Sequence, residues 1–262
     1  VKDASLMGMI VGRVGLAEIE AERPTPMRTA ATSAVGTRSL ARADSATLGI
    51  LGAGGEAKYH LLAFSKVRQF KRVKVFCRTE KTRDDFCRMM EKIVPCELEP
   101  VASAKQAVVD SDVVLTATNS NVAVFDGDWL QPGTHVTSIM GGNVGLVKAG
   151  IAAAKRRELD DATIRRSDVI VVNSLEQAIQ DEQGDLFDPV QAGFLTWERV
   201  GELGRRNPPV HRVFGERPGD RADHVRRHVR PHRPERRDLV EHVARGQRPG
   251  GRGHEGRLSA EQ

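Results

Sequence analysis

The stretch Thr47–Phe64, TLGILGAGGEAKYHLLAF, joins a short apolar run to a glycine cluster and then to apolar residues at helical spacing. Thr47 to Leu51 reads as a buried strand, too apolar for a sheet with one wet face. Gly52-Ala53-Gly54-Gly55-Glu56-Ala57 fits G-x-G-x-x-A. That pattern is weak by itself; it gains weight because it follows a strand and opens a helix. Gly52 permits the tight turn. Gly54 has no side chain, so a diphosphate can approach the backbone, and Ala57 lets the helix pack close to the strand. The helix opening at Gly55 and Glu56 offers free N–H groups and the positive end of its dipole to phosphates. The bland alternative is a glycine turn without a ligand.

Outward from this unit the pattern alternates from Ser45 to Asn173, within a dinucleotide-binding domain expected over residues 45–204. RVKVFC, CELEPV, DVVLTAT, THVTSIM and SDVIVVN read as strands. EKTRDDFCRMMEKI and SAKQAVVDS read as helices. This order predicts an α/β fold, a Rossmann-type doubly wound parallel sheet covered on both faces. Upstream, residues 1–44 form an opening segment: a strand in LMGMIVGRV, a turn at Pro24 and Pro26, and a helix through MRTAATSAVGTRSLA ending near Ala43. Downstream, SLEQAIQDEQGDLFDPVQAG and TWERVGEL predict a helix, a solvated acidic loop and a short helix.

The end of the second strand tests which dinucleotide would bind. A reader of NAD places an acid there, about 20 residues past the glycines, for the ribose 2′-hydroxyl. Here Cys77 holds that place, and Arg78, Thr79, Lys81 and Arg83 follow. A guanidinium and a hydroxyl suit a 2′-phosphate, so NADP is the expected cofactor and NAD the weaker reading. Small polar residues end the fourth strand, with cofactor contacts expected at Thr116, Ala117 and Thr118. The turn after the fifth strand, SIMGGNVG, would lie near the nicotinamide between Met140 and Asn143.

Composition narrows the rest. The 262 residues are 39% hydrophobic, and no run approaches the roughly 20 apolar residues of a membrane span. The opening residues lack the basic region of a signal peptide. Cys77, Cys87 and Cys96 are odd in number and at no metal spacing, which suits reduced thiols in a cytoplasmic protein. The net charge of +5 is uneven: residues 205–262 carry 15 Arg, no Lys and 8 acids, or +7, leaving −2 for the body. That Arg/His/Pro-rich tail has one aromatic residue, Phe214, and too little apolar surface to order itself. It lacks aromatics interleaved for stacking on bases, so nucleic acid is not an expected partner, and neither is a membrane. His224, His228 and His232 stand at helical spacing, but Pro231 interrupts them; no metal site is expected. His60, His135 and Trp129 read as structural.

Taken together, RTAATSAVGTRSLARADSATLGILGAGGEAKYHLLAF, VKVFCRT, DVVLTATNS, DWLQPGTHVTSI and RRELDD resemble the ornithine cyclodeaminase/mu-crystallin family over about Met27 to Gly204. The resemblance implies a Rossmann domain joined to a second domain for substrate and dimerisation, of which residues 1–44 would be a remnant. It implies nicotinamide chemistry on a small amino or imino acid. Arg28 matches the arginine that holds the substrate carboxylate, and Thr29 would touch the cofactor phosphates. Cyclodeaminases place a proton-transferring acid where this chain has Asn143, and an amide cannot exchange a proton at neutral pH. An imine (ketimine) reductase or amino-acid dehydrogenase is therefore the leading expectation. A non-catalytic NADPH-binding protein and an ornithine cyclodeaminase remain as alternatives. Lys148 lies one residue out of register with a family lysine. Only 26 residues precede MRTAATSA, where the family normally has further segments with a second arginine and a catalytic lysine. The resemblance implies a homodimer, and the tail has the composition of a frame-shifted GC-rich reading.

Overall fold

The computed structural model describes residues 6–12, 15–20 and 24–204. The tail, with its expected disorder and its histidines, lies outside the described residues. At the start, β1 (Leu6–Gly12) and β2 (Gly15–Glu20) pair as an antiparallel hairpin, with Gly12 opposite Gly15. Only the first of these strands is legible as such in the sequence. The turn expected at Pro24 and Pro26 is instead the first turn of helix α1 (Pro24–Leu40). Proline fits there because the first-turn N–H groups have no intrahelical acceptor in any case.

Five strands form one parallel sheet: β3 (Thr47–Leu51), β4 (Arg72–Phe76), β5 (Glu97–Pro100), β6 (Val113–Thr116) and β7 (His135–Ser138). Their order is β5-β4-β3-β6-β7. The chain winds away from β3 in one direction, returns, and winds off in the other. The switch point therefore falls between β3 and β6, and a crevice opens at their carboxyl ends.

Alternate residues of these strands face two apolar clusters. Leu48, Ile50, Val73, Val75, Val113 and Leu115 pack against α2 (Gly55–Phe64) and α3 (Glu80–Met90), through Leu61, Phe64, Phe86 and Met90. Leu51 and Val114 face the other cluster, which includes Val108 of α4 (Ala104–Val108), Ile164 of α6 (Asp161–Arg166) and Leu186 of α8 (Gly184–Gln191). Helices cover both faces, as the alternating sequence predicts. On the second face, Gly49 admits α4: a Cβ there would stand 2.0 Å from the Ala107 carbonyl oxygen. Short α5 (Val144–Lys148) and α7 (Leu175–Gln180) complete the helices.

Three expectations are corrected downstream. SDVIVVN does not extend the main sheet; its strand β8 (Ile170–Val172) pairs in parallel with β9 (Val200–Glu202) in a separate two-stranded sheet. TWERVGEL is a single 3-10 turn, Trp197–Arg199, running into β9. The acidic loop is largely α8: Gln183 accepts the Leu186 N–H with its side chain at 3.1 Å, and Asp185 is buried. The apolar partners of Leu186 on α6 and the sheet outweigh the local acidity.

Candidate nucleotide-binding site

The site begins where β3 stops. Gly52 has φ of +110°, and a Cβ there would meet the Ala117 carbonyl oxygen at 2.1 Å. Its N–H donates to the Phe76 carbonyl at 2.8 Å, holding the turn against the end of β4. Gly54 and Gly55 are the opposite case: a Cβ on either would meet nothing within 4 Å. No side chain caps α2, so its first-turn N–H groups face that open space. Ala57, buried to 0% exposure, lets the helix lie on the sheet. The space over the glycines is thus lined by bare backbone donors.

Glu56 stands within this first turn. Its Oε2 is buried without a hydrogen-bond partner among the described residues and lies 3.7 Å from His60 Nδ1; burial pushes the carboxyl up from its ordinary value. His60 is a structural residue. Its Nδ1 lies 2.7 Å from the Glu56 carbonyl oxygen, its Nε2 is 3.1 Å from Ser33 Oγ on α1, and burial lowers its pKa. The neutral ring donates through Nδ1, accepts through Nε2, and ties α1 to α2.

Beyond β4, Cys77 Sγ donates to the Thr79 carbonyl at 3.2 Å and tightens the turn into α3. Thr79 is the N-cap of α3, but its hydroxyl caps nothing. Arg78 and Thr79 are both exposed. Of the cations expected beside them, Lys81 pairs with Asp85 at 2.6 Å. Arg83 Nε is buried with no hydrogen-bond partner among the described residues, and its guanidinium is 3.9 Å from Glu80 and 3.8 Å from Asp84.

At the ends of β6 and β7 the expected polar residues converge on a side chain that sequence reasoning did not single out. Glu158, at 0% exposure, receives Thr116 Oγ1 at 2.8 Å, Thr118 N at 2.6 Å and Thr118 Oγ1 at 2.7 Å. The hydroxyls of Thr116 and Thr118 are therefore committed inward, while the Ala117 carbonyl underlies Gly52. Met140 is half-buried, its N–H 3.4 Å from Ser138 Oγ. Asn143 is buried with both amide atoms on backbone: Nδ2 donates to the Ala154 carbonyl at 3.0 Å, and Oδ1 accepts the Arg156 N–H at 2.8 Å. On α1, Thr29 donates to the Thr25 carbonyl at 3.0 Å, and Arg28 is exposed with no carboxylate partner among the described residues. Lys148 pairs with Glu182 at 2.8 Å. No cluster of three or more potential metal ligands occurs among the described residues. No helix among them is long and apolar enough to cross a membrane.

The profile of the ornithine cyclodeaminase/mu-crystallin family matches residues 14–205. The chain belongs to the ornithine cyclodeaminase/mu-crystallin family. It is 32% identical to the ketimine reductase mu-crystallin of Macropus fuliginosus over 188 residues, covering 72% of this chain and 54% of that protein. It is 31% identical to a Delta(1)-pyrroline-2-carboxylate reductase of Bacillus cereus, covering 79% of this chain and 59% of the other. The structure of the Thermococcus litoralis Delta(1)-pyrroline-2-carboxylate reductase, in complex with NADH and L-proline, superposes with a TM-score of 0.64 at 34% identity. That match covers 73% of this chain and 59% of the other. The chain thus spans little more than half the length of these relatives.

Within this ornithine cyclodeaminase/mu-crystallin chain, Glu158 lies in RRELDD, a stretch quoted above for its resemblance alone. Its neighbours Arg156, Arg157 and Asp160 make it read as one more solvated charge. Nothing local signals burial, since its partners Thr116 and Thr118 are 42 and 40 positions away.

Proposed function

We propose that this protein binds NADP and serves as an imine (ketimine) reductase or amino-acid dehydrogenase for a small amino or imino acid. The observation that carries the reading is the contrast within one turn: Gly52 is closed by the Ala117 carbonyl, whereas Gly54 and Gly55 are open above an uncapped helix. Bare N–H groups at a helix N-terminus attract a diphosphate. Residues 45–204 would form the coenzyme domain, with residues 1–44 belonging to a substrate and dimerisation part.

In this reading Gly54, Gly55, Glu56 and Ala57 hold the diphosphate through their N–H groups, and Thr29 adds a contact from α1. Arg78 and Thr79 take the 2′-phosphate; both are exposed, and the Thr79 hydroxyl caps nothing. That favours NADP over NAD. Thr116, Ala117, Thr118 and Met140 bound the nicotinamide end through their backbone. When bound, the nicotinamide would supply hydride to the carbon of a C=N bond. Arg28 would grip the substrate carboxylate with its two-pronged donor face. Asn143 would shape the loop, since its amide is already held by backbone.

That same commitment of Asn143 favours a second reading, a non-catalytic NADPH-binding protein. Both readings place the protein in the cytoplasm, in keeping with its three free cysteines. Fluorescence titration with NADPH and NADH, then coenzyme oxidation with cyclic ketimines, tests them. Tighter NADPH binding with turnover supports the reductase, and binding without turnover on any cyclic imine supports the binding protein. Absence of binding to either coenzyme would sink both. Sedimentation checks the homodimer.

A further inference from the structure

We propose that Asp185 is held as a neutral carboxylic acid, and that its proton, directed through Ser138 to Glu158, fixes the carboxyl ends of β6 and β7. Glu158 Oε1 accepts from Thr118 N and Thr118 Oγ1; Oε2 lies 2.8 Å from Thr116 Oγ1 and 3.0 Å from Ser138 Oγ. A carboxylate has about four acceptor sites, and those contacts fill them. Asp185 Oδ1 accepts the N–H groups of Glu158 and Leu159, each at 2.9 Å, while Oδ2 lies 2.8 Å from Ser138 Oγ and has no other partner among the described residues.

Ser138 therefore touches two carboxyl oxygens with a single hydroxyl proton. Its remaining capacity is as an acceptor, and the Met140 N–H takes one lone pair at 3.4 Å. If Ser138 donates to Glu158, the contact with Asp185 is a hydrogen bond only when Asp185 Oδ2 carries a proton and donates it to Ser138 Oγ. The opposite assignment would protonate an oxygen of Glu158 that already receives Thr116.

Charge points the same way. Glu158 and Asp185 are 0% and 1% exposed, so two bare carboxylates would face each other across one hydroxyl at low dielectric. No cation pairs with either among the described residues. Arg157 is turned to the Leu159 carbonyl and Asp161. Lys148 and Lys155 are held by Glu182, and Lys155 also reaches Asp188. At the N-cap of α6, Asp160 is occupied by Gly127 N and Thr163; on the helix Arg165 lies over Phe194, and Arg166 binds the Gly127 and Leu130 carbonyls. Burial raises the Asp185 carboxyl above its ordinary value; the Leu159 and Glu158 N–H groups, Ser138 and, least, Arg157 oppose this only in part.

Asp185 is thus a positioning residue. The loop after Ser138 is where the proposed function places the nicotinamide, so the extension to coenzyme binding rests on that reading; the proton assignment does not. The test uses the full chain and the variants Asp185→Asn and Asp185→Ala. Asparagine keeps an acceptor for both backbone N–H groups and donates to Ser138, so it copies the acid and not the carboxylate. The parent should show the infrared band of a buried carboxylic acid at pH 7, absent in both variants.

The pH dependence has a fixed sign. A carboxyl raised in the folded state stabilises most below its unfolded value and loses that contribution as pH rises to the folded value. Relative to the parent, Asp185→Asn should gain up to about tenfold in folding equilibrium constant per pH unit across that window. No acid band, or an asparagine variant that loses ground to the parent as pH rises, overturns the assignment. NADPH affinity should fall about tenfold in Asp185→Ala and recover in Asp185→Asn; equal binding by all three overturns the positioning role. An acid band in a parent that binds neither coenzyme supports the proton assignment and removes the proposed function instead.

Discussion

Two glycines two positions apart have opposite physical reasons, and substitution separates them. Gly52→Ala places a Cβ 2.1 Å from a backbone oxygen at φ of +110°, with no flexible side chain to give way. Loss of about 3 kcal/mol or more in urea unfolding is expected; a loss under about 1 kcal/mol would contradict the geometry. Gly54→Ala meets nothing within 4 Å at an extended φ of −94°. It should leave stability within about 1 kcal/mol and weaken NADPH binding about tenfold or more, as one lost phosphate contact does. Arg78→Ala should lower NADPH affinity by about tenfold with little change for NADH; equal losses for both coenzymes would remove Arg78 from the 2′-phosphate. Gly52 and Ala57 are legible in the sequence because a turn conformation and a close approach each demand a particular residue type. Glu158 and Asp185 are not legible: an acid among arginines or in DEQGDLFD looks solvated until distant elements bury it.

Elements are joined by polar straps that no periodicity reveals. Arg68 donates to the carbonyls of Arg38, Ala41 and Arg42, closing the end of α1, where cations suit the helix dipole. Asp112 accepts the N–H groups of Ala46 and Thr47 at 2.8 and 2.9 Å and fixes the start of β3. His135 on β7 meets Thr37 of α1 at 3.3 Å and Thr137 at 3.0 Å. Burial, with Arg68 adding to it, lowers His135 to about 4. A base depressed in the folded state stabilises fully above its unfolded value near 6.5, and that contribution is lost as pH falls to about 4. Stability should therefore drop by up to about 3 kcal/mol over this interval, and His135→Gln should flatten the drop. An unchanged slope in the variant would show the ring to be unburied. The strands and main helices of the sheet were readable from apolar runs. The proline start of α1, the helix α8 and the β8–β9 pair were not, since each depends on what packs against it.

At the scale of the whole molecule, both apolar clusters share the five-stranded sheet, so neither can be exposed without breaking strands that support the other. The described body should unfold in one transition. Trp129 and Trp197 both pack against the second cluster, so tryptophan fluorescence reports that face while far-ultraviolet dichroism reports all elements. Coincident midpoints are expected; a separation beyond error would mean that the two faces come apart independently. By itself the sequence determined the alternating elements, the glycine turn and the family, because apolar period, backbone freedom and short motifs act over a few neighbouring residues. Only the tertiary structure decided which charges are buried, which hydroxyls are already committed, and where the last strands pair. Those outcomes depend on residues 20 to 47 positions apart being brought within hydrogen-bonding distance, as Ser138 is with Glu158 and Asp185, and local pattern carries no record of such meetings.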